Sequence, residues 1–154
     1  MNTRAALFLA SALFAANAVA DVAVVDPWVR AAPPNASVLA GYMTLTNTGT
    51  ETVSVVEASS SQFDRVEMHR TEIDDKGMAR MFQVKEHKLD PGVSVEFKPG
   101  GNHFMLIKPK SPLKIGDHVM IDLKLSDDSV TQIHAIVREA DPGPAAGDGH
   151  HHKH

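Results

Sequence analysis

The sequence predicts an all-β domain, a sandwich or Greek-key barrel. Two observations predict it. Roughly seven to nine short runs of strand-forming residues are separated by turn signals about every eight to twelve residues. No stretch carries a convincing helical period of apolar residues. The elements follow in order. Residues 37–47 (Ser-Val-Leu-Ala-Gly-Tyr-Met-Thr-Leu-Thr-Asn) are rich in strand formers and close on Thr48-Gly49-Thr50. Residues 52–57 alternate around Val53, Val55 and Val56. Residues 63–69 and 78–84 are the next two strands, separated by a segment whose Asp74-Asp75-Lys76-Gly77 core is a turn signal. Asp90-Pro91-Gly92 turns the chain into a strand at 93–97. Pro99-Gly100-Gly101-Asn102 turns it again into a strand at 103–107. The last two strands, 118–125 and 131–137, alternate most clearly. Val119, Ile121, Leu123 and Leu125 share one face, and Ile133, Ala135 and Val137 share another, as half-buried strands require.

The two ends differ from this domain. Met1 to Arg4 is a short cationic start, residues 5–16 are an apolar run, and Ala18-Val19-Ala20 is a small-residue cleavage signal. Residues 1–20 therefore read as a secretory signal peptide, with an apolar run too short to span a bilayer. Cleavage after Ala20 leaves 134 of the 154 residues. That length suits one domain, placed at 21–140, with a sizeable core. Loss of Arg4 takes the formal charge from −4 to about −5. This is mildly acidic, so nucleic acid is not an expected partner. No later segment is apolar enough to insert in a membrane, and a periplasmic monomer is expected. The chain has no cysteine. An exported protein of this kind has no disulfide framework, and a blue-copper site, which needs a thiolate, is excluded.

Chemistry concentrates at His69, Met81, His103 and Met105. Two imidazoles and two neutral, soft thioethers suit Cu(I) better than zinc, magnesium or iron. His103 and Met105 stand at i and i+2 of a strand, so they face one way while Phe104 and Leu106 face the other. His69 and Met81 flank the Asp-Asp-Lys-Gly turn on the two arms of an expected hairpin and can converge as a second pair. Met78 is the competing thioether on the same arm. Met68 precedes His69 and should point to the opposite face, into the core. His87, His118 and His134 have no paired spacing and read as surface or structural residues.

The order His…Met…His-x-Met, with Pro99-Gly100-Gly101 ahead of His103 and Leu106 after Met105, resembles the PCuAC copper-chaperone family. Gly41-Tyr42-Met43-Thr44-Leu45-Thr46-Asn47, Arg80-Met81 and Pro112-Leu113-Lys114-Ile115-Gly116-Asp117 extend the resemblance over about residues 26–137. It implies a cupredoxin-like β-sandwich holding Cu(I) through His69, Met81, His103 and Met105. It also implies a periplasmic chaperone that helps metallate the dinuclear copper centre of cytochrome c oxidase. The implied partners are a Sco-type thioredoxin-fold protein and the copper subunit of the oxidase. Two features depart from the family pattern. The first gap is a residue longer than in many relatives, and Arg70 stands after the first His where Met is frequent. The gap from Met81 to His103 matches the family, which favours Met81 over Met78.

Residues 141–154 form a separate segment. The stretch from Asp141 to Gly149 is rich in Pro, Gly and Ala and cannot build a core, so it is expected to be disordered. It ends in His150, His151, His152 and His154, a metal-binding composition that favours Cu(II) or Zn(II). The expectation is Cu(I) at the core site and Cu(II) at the tail. No nucleophile stands with a paired base, so a binding and transfer protein is expected rather than an enzyme. The competing readings are a copper-dependent redox enzyme and a metal-free β-sandwich interaction domain.

Overall fold

A computed structural model describes residues 22–140, and they form ten strands with no α-helix. The segments read as signal peptide and His-rich tail lie outside the described residues. The strands are β1 (Val22–Arg30), β2 (Val38–Asn47), β3 (Val53–Ser59), β4 (Phe63–Ile73) and β5 (Ala79–Gln83). They continue as β6 (His87–Leu89), β7 (Ser94–Phe97), β8 (Asn102–Pro109), β9 (His118–Leu125) and β10 (Val130–Arg138). Hydrogen bonding links them in the order β5-β4-β8-β7-β2-β1-β10-β9-β3-β6, with β8 also paired to the first half of β2. Inward residues from both halves of this sheet share one core cluster, so the sheet closes over itself as a sandwich. The all-β expectation holds.

Eight of the ten strands coincide with the sequence reading, within a few residues at their ends. Strands β1 and β6 have no counterpart in it. In β1 the Asp26-Pro27 pair reads as a break, because proline has no N–H for the ladder. The strand absorbs the pair as an irregularity between Val25 and Trp28, with Asp26 at φ 48°. The Asp26 carboxylate then accepts two hydrogen bonds from the Arg138 guanidinium, at 3.0 and 2.7 Å. That fork holds β1 against β10, to which it pairs in parallel from Trp28 to Arg30. Strand β6 is only three residues long, too short to show a period.

The alternation in β9 and β10 is realised. Val119, Ile121, Leu123 and Leu125 are fully buried, and Ile133, Ala135 and Val137 lie beside them. Phe104 and Leu106 of β8 and Val66 and Met68 of β4 point into the same core. Phe104 stacks on Phe97, with ring centroids 4.4 Å apart and planes 17° from parallel. The opposite faces of β4 and β8 are therefore left for His69, His103 and Met105.

His87 is structural: it is 5% exposed and sets its ring edge-on to Phe97 at 4.9 Å. Burial, with the Arg70 charge adding to it, holds its pKa below the ordinary histidine value. The unfolded chain takes up this proton near pH 6.5, whereas the fold resists it until lower pH. His87 therefore leaves stability intact above about pH 6.5 and lowers it as pH falls through that value. The slope is at most about 1.4 kcal/mol per pH unit. Replacing His87 with Phe should flatten the fall in unfolding free energy between about pH 7 and pH 5.5. Urea titrations of both proteins at the two pH values check this, and an unchanged fall would assign the sensitivity to another group.

Candidate metal centre

The site is built on three adjacent strands, β5, β4 and β8. His69 stands directly opposite His103 in the β4–β8 ladder, and Glu67 stands opposite Met105. Opposed residues share a face, so these four side chains lie on the outer surface of the sheet. In the β4–β5 hairpin Met81 pairs with Thr71, two residues beyond His69 and therefore on the same face. All four sequence-predicted core ligands are thus on one face. His69 and Met81 form a diagonal pair, since Gln83 takes the place opposite His69.

Turn chemistry sets that register. The Asp74 carboxylate accepts hydrogen bonds from the backbone N–H groups of Lys76 and Met78, both at 2.9 Å. Gly77 takes φ 76°, a conformation open to a residue without Cβ. Met78 is thereby held in the turn, outside the strand and 62% exposed. Met81 is 55% exposed, and its flexible side chain lines an open pocket of about 230 Å³ together with His103 and Met105. The pocket's other walls, Arg30 to Ala32 and Val38 to Ala40, are mainly apolar. His69 lies beside this pocket rather than on its wall, with its ring centroid 5.9 Å from that of His103.

The histidines are held by their neighbours. His103 is 7% exposed, and its Nδ1 lies 3.0 Å from the Gly101 carbonyl. A carbonyl only accepts, so Nδ1 carries the proton of the neutral ring and Nε2 keeps its lone pair. The same carbonyl accepts the Thr71 N–H at 3.1 Å, tying the end of β8 to β4. Gly100, at φ 79°, makes the turn that presents this carbonyl. His69 Nε2 lies 2.9 Å from Glu67 Oε2, and its Nδ1 is buried with no hydrogen-bond partner in the protein. Glu67 Oε1 accepts from Arg65 Nε at 2.8 Å. The His69 hydrogen bond, and then the Arg65 one, hold the Glu67 carboxyl below the usual carboxylate range.

Glu67, bonded to His69 and opposite Met105, is a neighbour of the candidate ligands that the His and Met pattern misses. It stands two residues before His69, so strand periodicity alone places it on the same face. Met68 lies in the core, as expected, and His118 and His134 are not buried. Among the described residues, no three His, Cys, Asp or Glu side chains gather closely enough to hold a metal ion. Two imidazoles beside two thioethers form a soft, neutral donor set, and the orphaned Nδ1 of His69 is a donor atom without a role in the fold.

Residues 22–137 match the family described as "Putative lipoprotein LpqE-like". The chain belongs to this family. It is 34% identical over 129 residues to the protein RP573 of Rickettsia prowazekii, covering 81% of this chain and 71% of that one. The fold matches the copper-bound PCuAC domain from PmoF2 at a TM-score of 0.64, with 20% identity over 77% of this chain and 93% of that one. It also matches the solution structure of CuI-DR1885 from Deinococcus radiodurans at a TM-score of 0.57. That protein is 29% identical, over 77% of this chain and 76% of its own. The PCuAC resemblance carried by the sequence motifs is borne out.

Proposed function

We propose that this protein is an exported copper chaperone that carries one Cu(I) on the outer face of β5, β4 and β8. The observation that carries the reading is the placement of His69, Met81, His103 and Met105 on one face, three of them around one open pocket. Likeness to proteins solved with copper, one of them titled as the Cu(I) form, supports the choice of metal. Thioethers need no deprotonation and leave the ion's positive charge in place, while the open pocket lets incoming ligands attack as the first ones leave. Export is supported by the leader-like first twenty residues and by the lipoprotein description of the family.

His150, His151, His152 and His154 supply a second, imidazole-only donor set suited to Cu(II). Delivery towards the dinuclear copper centre of cytochrome c oxidase, with a Sco-type partner, rests on the sequence resemblance. The test is removal of residues 141–154, followed by titration with Cu(II) and, anaerobically, with Cu(I). Truncation should abolish most Cu(II) binding and leave one Cu(I) per chain with no oxygen turnover. Absence of Cu(I) binding would overturn the proposal. Undiminished Cu(II) binding would overturn the division of labour between core and tail.

A further inference from the structure

On the outer face of β4, Arg65, Glu67 and His69 stand at successive outward positions, and Glu67 and His69 lie opposite Met105 and His103. They form a hydrogen-bonded chain along the strand. Arg65 Nε donates to Glu67 Oε1 at 2.8 Å, and Glu67 Oε2 lies 2.9 Å from His69 Nε2. Both carboxylate oxygens are therefore engaged, and the acid is fixed from two sides. A carboxylate can only accept, so the hydrogen bond requires the proton of the neutral His69 ring to sit on Nε2. The remaining nitrogen, Nδ1, then holds a lone pair, and it is the nitrogen that is buried without a partner. A buried acceptor left unsatisfied is costly unless something else uses it. His103 is arranged the opposite way, with Nδ1 on the Gly101 carbonyl and Nε2 free.

We infer that Glu67 is the positioning residue of the copper site: it fixes the tautomer and orientation of His69 so that Nδ1, not Nε2, is the donor offered to the metal. The site would thus use two imidazoles through different nitrogens, Nδ1 from β4 and Nε2 from β8. This assignment rests on the Cu(I) reading above and adds a residue that the His and Met pattern does not contain. Outer partners of metal-bound imidazoles orient the ring and raise its basicity, and their loss typically weakens metal binding about 10–100-fold.

The test compares the full chain with Glu67→Leu and Glu67→Gln. Leucine removes the acceptor, whereas glutamine keeps one acceptor oxygen for Arg65 and turns a donor NH2 towards His69. Two readouts are used: Cu(I) affinity by anaerobic competition with a chelator, and the ¹⁵N shifts of the His69 ring before and after Cu(I) loading. In the native protein His69 should carry its proton on Nε2, and Cu(I) should perturb Nδ1 while leaving Nε2 protonated. In Glu67→Gln, where Arg65 takes the one carbonyl oxygen and the amide NH2 donates to Nε2, the proton should sit on Nδ1. In Glu67→Leu the ring should populate both tautomers and Cu(I) affinity should fall at least about tenfold. Glutamine, nearly the same shape, should lower affinity by a similar factor while moving the proton to Nδ1, which a general loss of packing would not do.

Copper on Nε2 of His69 in the native protein would overturn the inference. So would native affinity and a single tautomer in Glu67→Leu, or tighter binding in that variant, which would make Glu67 a competitor of the metal. The copper reading itself fails in a different way, by absence of Cu(I) perturbation at both His69 and His103 in the native protein.

Discussion

Replacing His103 with Ala should lower Cu(I) affinity by more than about 100-fold, beyond the roughly 10–100-fold carried by outer partners of a metal ligand. Among the described residues His103 is the one imidazole that lines the pocket with both Met81 and Met105, and its Nε2 lone pair is free because Nδ1 is bonded to Gly101. The fold should survive. The Gly101 carbonyl keeps its hydrogen bond from Thr71, and the inward neighbour Phe104 is unchanged. Anaerobic competition against a Cu(I) chelator reads the affinity, and circular dichroism reads the fold. Affinity within a few-fold of native would remove His103 from the site.

Phe104→Ala should have the largest effect on stability, about 3–5 kcal/mol. Phe104 is fully buried, stacks on Phe97 and faces Met68 across the ladder, so truncation leaves a cavity where β4, β7 and β8 meet. Its neighbours along the strand are His103 and Met105, which ties the core to the candidate metal face through one stretch of backbone. The expected fall in Tm is roughly 10–20 °C. Cu(I) at about 100 times its Kd should then restore close to 2.7 kcal/mol if binding requires the folded face. Thermal unfolding with and without Cu(I) measures both effects. A fall of only a few degrees would mean that the core closes around the truncated side chain rather than leaving a cavity.

The sequence made some of this architecture readable and hid the rest for physical reasons. Strict alternation made β9 and β10 plain, because each has one buried and one exposed face. The same rule placed His103 and Met105 on one face and Phe104 and Leu106 on the other, as the structure has them. Strand β1 escaped because Pro27 marks a break unless tertiary pairing absorbs it, and here β2 and β10 flank it on both sides. Strand β4 runs on to Ile73, four residues past His69, because its pairing with β5 continues to the turn. That extension makes His69 and Met81 diagonal rather than opposed, and it depends on the Asp74 and Gly77 turn geometry, which composition signals without specifying. Glu67 was legible by its spacing of two from His69, but an isolated acid on a strand carries no signal of a partner until its hydrogen bonds are seen.

The most direct measurement is copper K-edge X-ray absorption on the chain truncated after Ala140, loaded with one equivalent of Cu(I). It is compared with Met81→Leu and Met78→Leu in the same background. Two imidazole nitrogens and two sulfurs are expected around the ion, one sulfur after Met81→Leu, and both sulfurs after Met78→Leu. A shell with no sulfur, or one that Met81→Leu leaves unchanged, would contradict a Cu(I) site built from His69, Met81, His103 and Met105.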